Sequence, residues 1–355
     1  MNVSRAYVSA DPRRPWDRPG PLLIVGVNWL GDAVMTMPAL RALRQAAAGR
    51  RIVIMVKDPL ADLWRMARDM VDDVLAVSGN AWQSSRAVRT LAPSAAIILP
   101  HSFRSGLIPW LARVPVRVGM PGHSRDWMLT TRVAPRGGLD RTHQVYEYFD
   151  LMGLEYSGAM VSPPLMRPPD VVRSSDLART IGRLVPAVQP GRIIGIVPGA
   201  ARGPSKRWPA SRFIEVGRQL ARRTGWPILV FGGGVEGEAC DMVAQGIGAG
   251  ATSIAGQTNL VDFAVLLAQC GVVIANDSGG MHLAAAVGAP VVGIFGLTDP
   301  DVTGPIGPRA RVVRPAGVTG QRAIGRDSDA ARAALSTIAP EAVYDAACDL
   351  LEQKY

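Results

Sequence analysis

Seven consecutive residues, Asn276-Asp277-Ser278-Gly279-Gly280-Met281-His282, place an acid, a hydroxyl, two glycines and an imidazole between an apolar run (271–275) and a run of small residues (283–287). The flanking runs read as a buried parallel strand and a helix. The turn between them therefore delivers backbone N–H groups at a helix start, which carries unsatisfied donors and partial positive charge and suits a phosphate. Gly279 and Gly280 let a ligand approach the backbone closely, and His282, one turn into the helix, reaches a phosphate or a sugar hydroxyl. The plainer alternative is that Asp277 or Ser278 caps the helix.

Two further stretches carry chemistry. Lys206 and Arg207 sit in a glycine- and proline-rich loop (198–209) after an apolar strand (192–197). They are a point-charge pair for a diphosphate, or else a solvated loop. The loop is not a P-loop, because no glycine precedes Lys206 and Arg207 stands where Ser or Thr is required. Asp32 lies between Gly31 and a helix read over 33–45, at the carboxyl end of a strand at 21–27. It is an N-cap or a general base, and the readings are compatible, since cap donors and the helix dipole keep the carboxylate ionised. The glycine run at 232–237 matches G-x-G-x-x-G formally, but no acid follows at the end of the next strand, so a nicotinamide enzyme is a weak reading.

The elements that must position these residues alternate. Strands at 21–27, 51–56, 73–77, 95–99, 113–119, 192–197, 227–231, 271–275 and 291–295 are interleaved with helices at 33–45, 60–70, 146–153, 213–223, 260–270 and 340–351. Pro38 inside the first helix predicts a kink. Such alternation points to an α/β protein with doubly wound parallel sheets. Pro163, Pro164, Pro168 and Pro169 mark a linker within 157–170, and residues 304–337 are polar and poorly patterned. The expected division is a disordered leader (1–20), an N-terminal Rossmann-like domain (21–165), a C-terminal Rossmann-like domain (166–340) and a closing helix (341–355). Ligands of such sheets sit beyond the carboxyl ends of the strands, where all the loops above lie.

Composition narrows the classes. With 48% apolar and 19% charged residues the chain of 355 is globular,. Cys240, Cys270 and Cys348 lack metal-ligand spacing and give no disulfide framework, which fits a reducing compartment. The net charge of +10 is uneven: residues 1–165 hold 20 Lys and Arg against 13 Asp and Glu, residues 166–355 hold 19 against 16. The first half thus suits an acidic partner, unless the excess of arginine reflects genome composition. No nucleic-acid module and no aromatic interleaving accompany the arginines, so a nucleic-acid partner is not expected. The N-terminus lacks the apolar core of a signal peptide, and the longest apolar tract (281–297) is too broken by glycine and proline to span a membrane.

Four stretches together resemble the bacterial ADP-heptose:lipopolysaccharide heptosyltransferases, glycosyltransferase family 9. They are Val27-Asn28-Trp29-Leu30-Gly31-Asp32 with Pro38-Ala39-Leu40, residues 198–209, Asn276 to His282, and Phe295-Gly296-Leu297-Thr298-Asp299-Pro300. The resemblance implies a GT-B fold, two Rossmann-like domains facing across a cleft, and inverting, metal-independent transfer without a cofactor. It makes Asp32 the general base and gives Lys206 the diphosphate of the ADP-sugar donor. Gly31, Arg207, Asp277, Ser278, Gly279, Gly280, Met281 and His282 complete the donor site, and Glu236 holds the adenosine ribose, with Glu238 close enough to leave that register open. The implied acceptor is an anionic glycolipid, the inner-core lipid A glycan, met by Lys57, Arg104 and Arg125. The resemblance also implies a cytoplasmic protein in peripheral contact with the inner face of the cytoplasmic membrane. Two alternatives stay open: a family 9 transferase using another nucleotide sugar or envelope glycan, and a non-catalytic nucleotide-sugar-binding protein. Retention of Asp32 with Lys206 and His282 argues against the second. The leader and residues 304–337 fall outside the resemblance.

Overall fold

The computed structural model describes residues 15–136, 142–156, 165–166, 182 and 189–353. Short apolar runs make its strands. β1 (Leu22–Val25), β2 (Ile52–Lys57), β3 (Asp73–Val77), β4 (Ala95–Ile98), β5 (Val116–Gly119) and β6 (Thr131–Arg132) form one sheet in the order β3-β2-β1-β4-β5-β6. β7 (Ile194–Val197), β8 (Ile228–Val230), β9 (Ala251–Ser253), β10 (Val272–Asn276), β11 (Val291–Ile294) and β12 (Ala310–Val313) form a second, in the order β12-β11-β10-β7-β8-β9. Every ladder is parallel. Counted from its own first strand, each sheet has the doubly wound order 3-2-1-4-5-6,. The central strands are apolar on both faces, as sheets covered by helices on both sides require; Leu22, Leu23, Ile24, Ile194 and Ile196 are fully buried.

The helices of the first sheet are α1 (Leu30–Ala46), α2 (Ala61–Met66), α3 (Ala81–Leu91), α4 (Phe103–Leu111) and α5 (Val145–Leu151). Those of the second are α6 (Ala210–Thr224), α7 (Gly237–Ile247), α8 (Leu260–Ala268), α9 (Gly279–Ala286), the single turn α10 (Pro300–Thr303), α11 (Asp329–Ser336) and α12 (Pro340–Glu352). α1 continues through Pro38, whose missing N–H leaves the Val34 carbonyl without its helical donor,. α12 joins the core of the second sheet through Val343, Ala347 and Leu350.

The chain divides into two units, Met1–Met160 and Val161–Tyr355. The four linker prolines lie outside the described residues; Leu165 and Met166, which are described, both donate to the Ala286 carbonyl at the end of α9, at 2.8 and 3.2 Å. Of the leader expected to lack structure over 1–20, residues 1–14 lie outside the described residues, and Pro15–Asp17 form a 3-10 turn. Its Trp16 is buried, and the Trp16 carbonyl accepts from Arg50 Nη1 at 2.8 Å. The stretch at 304–337, without legible pattern, contains β12 and α11. Among the described residues no helix is long and apolar enough to cross a membrane.

Candidate active site

In each sheet the strand order reverses beside its first strand, between β1 and β4 and between β7 and β10. Loops diverge there and open a crevice at the carboxyl edge. The loops that carry Asp32, Arg104, Lys206 and Asp277 leave these four strands, while Lys57 ends β2 and Glu236 follows β8.

In the second unit Asn276, the last residue of β10, ties the crevice together. Its buried amide donates from Nδ2 to the Pro198 carbonyl (2.6 Å) and accepts at Oδ1 from the Trp208 N–H (3.0 Å). One side chain thus fixes both ends of the 198–209 loop. Within that loop Ser205 Oγ donates to the Arg326 carbonyl (2.6 Å) and accepts from the Ser328 N–H (2.8 Å), pinning the turn Pro204–Lys206 to the approach to α11. Gly203 has φ +107°, and a Cβ there would meet Arg326, so the turn requires glycine,. Lys206 is delivered by this turn to Asp277, the residue after β10. Nζ and Oδ2 form an ion pair with both side chains nearly buried, 10% and 7% exposed.

α9 begins immediately after, with Ser278 at the N-cap in extended conformation. The Ser278 hydroxyl makes no cap bond and is buried without a hydrogen-bond partner. The helix therefore starts without side-chain capping by either candidate, and its first-turn N–H groups, from Gly279 to Met281, are the orphan donors of a helix start. Met281 and His282 are buried, so Met281 offers the site its backbone only. Gly280 has a packing reason to be glycine: a Cβ there would lie 2.9 Å from Val197 Cγ1 and 3.1 Å from Phe263 Cζ. Glu236 lies over Gly199 at the exit of β7, where a Cβ on Gly199 would clash with its carboxylate. Its Oε2 accepts from the Gly233 N–H at 2.9 Å. Glu238 is exposed in the first turn of α7, so of the two acids Glu236 borders the crevice. Arg207 is exposed and reaches the Ala200 carbonyl at 3.3 Å.

Asn276 and Ser205 were not among the candidates, although Asn276 stands in the motif itself. Asn276→Ala leaves the Pro198 carbonyl and the Trp208 N–H without partners in a buried site. Each orphan costs about 1–3 kcal/mol, so urea unfolding should show a loss of roughly 2–6 kcal/mol together with weaker nucleotide binding.

In the first unit Asp32 is the third residue of α1, not its N-cap. The helix starts at Leu30, with Trp29 in extended conformation at the cap and the Ala33 N–H closing the first turn on the Trp29 carbonyl at 2.9 Å. Asp32 and Gly31 are half-buried, and the positive end of the helix favours the carboxylate there. Lys57 and Arg104 are exposed and line one pocket of about 350 Å³ with Asn28, Ser78 and Ser102. Arg104 Nη2 donates to the Gly79 carbonyl.

Arg125 is not an acceptor-binding side chain in this structure. It is fully buried, and its guanidinium is consumed by the protein. Nε and Nη2 donate to the Met120 carbonyl at 3.0 and 2.7 Å, and Nη1 donates to Ser105 Oγ at 3.1 Å, the Ser102 carbonyl at 3.3 Å and the Pro100 carbonyl. Burial pushes its pKa down to about 10, which still leaves it protonated at neutral pH. It braces the loop before it against the start of α4. Arg125→Met should therefore lower the stability of the first unit by about 2–4 kcal/mol in urea titration, through the orphaned Met120 and Pro100 carbonyls.

The family model of glycosyltransferase family 9 (heptosyltransferase) matches residues 82–324. The chain is similar to lipopolysaccharide heptosyltransferase 2 of Escherichia coli (strain K12), with 29% identity covering 94% of this chain and 99% of that one. It is similar to lipooligosaccharide heptosyltransferase 2 of Haemophilus ducreyi, with 28% identity covering 82% and 88%. Among solved structures it is similar to the ADP-heptose lipopolysaccharide heptosyltransferase II of E. coli, with a TM-score of 0.77, 27% identity, and 94% and 99% of the two chains covered.

Proposed function

The chain belongs to glycosyltransferase family 9, and on that premise we propose that it transfers heptose from ADP-heptose to the inner core of lipopolysaccharide. Its two six-stranded parallel sheets are the Rossmann-like pair of a GT-B glycosyltransferase. The observation that carries the donor reading is Lys206, held by an ion pair to Asp277 at the β7–β10 reversal, directly before the start of α9. A lysine point charge and a helix start together are what a diphosphate requires.

The reaction is a single displacement with inversion. The acceptor hydroxyl oxygen attacks the anomeric carbon, the bond from that carbon to the β-phosphate oxygen breaks, and ADP leaves with the bonding electrons. Asp32 takes the hydroxyl proton. Lys206 and the N–H groups of Gly279 to Met281 stabilise the charge that grows on the diphosphate, and this preorganised field supplies much of the rate. Glu236 accepts from the adenosine ribose hydroxyls, and Asp277 and His282 orient heptose hydroxyls or phosphate. Lys57 and Arg104 attract the anionic acceptor. Because that acceptor is a glycolipid, the enzyme works in peripheral contact with the inner face of the cytoplasmic membrane, and nucleic acid is not a partner.

Calorimetry with ADP, UDP and GDP, without added metal, tests the donor. ADP should bind about tenfold more tightly than the other two; the three share ribose and diphosphate, so Glu236 and Lys206 serve all of them alike and the preference reports the walls of the crevice that meet the base. Preference for UDP or GDP discards the heptose donor, and absence of binding to all three discards the donor site.

A further inference from the structure

Between Asp73 and Asp126 the chain has no acidic residue and six arginines. Arg117 and Arg125 are spent on backbone carbonyls, which leaves Arg86, Arg89, Arg104 and Arg113 exposed. The same stretch carries most of the exposed aromatic surface of the first unit. On α4, Phe103, Leu107 and Trp110 fall at i, i+4 and i+7, one stripe of the helix,. Phe103 and Trp110 are exposed. On α3, Trp82, Arg86 and Arg89 fall at the same spacing, and Trp82 is 64% exposed.

The two helices lie side by side. Arg89 Nη2 donates to the Leu111 carbonyl at the end of α4 (2.6 Å), and Arg104 joins the start of α4 to Gly79 before α3. Trp127, 58% exposed, completes the surface from a neighbouring turn. Its ring packs edge-on against Trp110 (centroids 5.0 Å apart, 80°) and tilted against Phe103 (6.5 Å). It is held there by its own Nε1, which donates to the Ser124 carbonyl at 3.0 Å, and the turn that carries it follows the buried Arg125. Three rings fixed against one another in water form a patch, unlike the scattered apolar residues of an ordinary surface.

We propose that this face of α3, α4 and Trp127 is the surface by which the protein lies on an anionic lipid bilayer. Indole and phenyl rings settle at the headgroup boundary, with their apolar bodies buried and the indole N–H still hydrogen-bonded. The arginine rim meets negative headgroups. A second copy of the chain is a poor occupant, because a two-fold contact would bring the unpaired Arg86 and Arg113 near their own counterparts. α4 also contributes Arg104, Ser105 and Ile108 to the 350 Å³ pocket, so the helix that rests on lipid borders the site assigned to a lipid-linked acceptor. In that respect the inference rests on the proposed function.

The test is co-sedimentation of the full chain with vesicles of phosphatidylcholine, with and without phosphatidylglycerol, beside calorimetry with ADP. Wild type should bind the anionic vesicles and ignore the neutral ones. Trp110→Ser/Trp127→Ser should weaken that binding on the order of tenfold, and Arg86→Glu/Arg113→Glu, on exposed arginines, should remove the preference for phosphatidylglycerol. Met242→Ser, exposed on the second unit, should change nothing. ADP binding should be equal in all of them. Wild type that ignores anionic vesicles, variants that bind as wild type does, or a wild-type dimer that the tryptophan variant splits each overturn the surface. Vesicle capture without ADP binding overturns instead the transferase reading.

Discussion

Asp32→Asn is expected to lower kcat for heptose transfer by about 10³-fold, within the range a positioned general base supplies, while leaving ADP-heptose affinity within about twofold. The amide has the size and shape of the carboxylate and keeps its place in the first turn of α1, so the geometry survives and only the proton acceptor is lost. Some stability goes with it, about 0.3–1 kcal/mol, because the charge no longer meets the positive end of the helix. Steady-state kinetics on a lipid A core acceptor and calorimetry with ADP-heptose separate the two effects. A variant that loses donor affinity and turnover together assigns Asp32 to the donor and removes it as the base. Asp32→Glu, which restores the carboxylate on a longer arm, should recover part of the rate if Asp32 takes the proton.

That Asp32 sits inside α1 and not at its cap shows where the sequence stops being legible. Apolar runs such as 95–99 and 291–295 betray buried parallel strands, because a sheet covered on both faces needs no alternation. The reversals of strand order then follow from the alternation of elements. Boundaries depend on local competition that composition does not display: α1 begins at Leu30, two residues before the acid that could have capped it. α3 was legible in principle, since Asn80 and Gln83 form a reciprocal capping box at 3.0 and 3.1 Å,, but its buried face is carried by Ser84 and Ser85 beside Val88, which do not read as an apolar stripe. α4 is short and contains Pro109, and α7 follows a glycine run that reads as loop. Arg125 could not have been placed from sequence at all. Its acceptors belong to Pro100, Ser102, Ser105 and Met120, and a buried arginine and an exposed one are spelled alike. Asn276 is the converse case, a motif residue whose type looks like ligand chemistry and whose two hydrogen bonds go to backbone.

Lys206→Ala is expected to weaken ADP binding by about 10²-fold, two charge-assisted contacts to the diphosphate being worth about 1.5–3 kcal/mol each before water replaces part of them. The same substitution should destabilise the second unit by about 3–5 kcal/mol, because Asp277 stays buried without its cation,. Loss of binding could then be blamed on loss of fold, and the partner residue resolves this. In Lys206→Ala/Asp277→Asn the uncompensated charge is gone, so the urea midpoint should return most of the way to wild type. ADP affinity should stay low, since no point charge has been restored. Asp277→Asn alone frees Lys206 from its carboxylate, and ADP, which otherwise competes with Asp277 for that ammonium, should bind about as tightly as to wild type or several-fold more tightly. If the double variant instead regains ADP affinity along with stability, Lys206 is a strut of the crevice, and the diphosphate is held by the start of α9 alone.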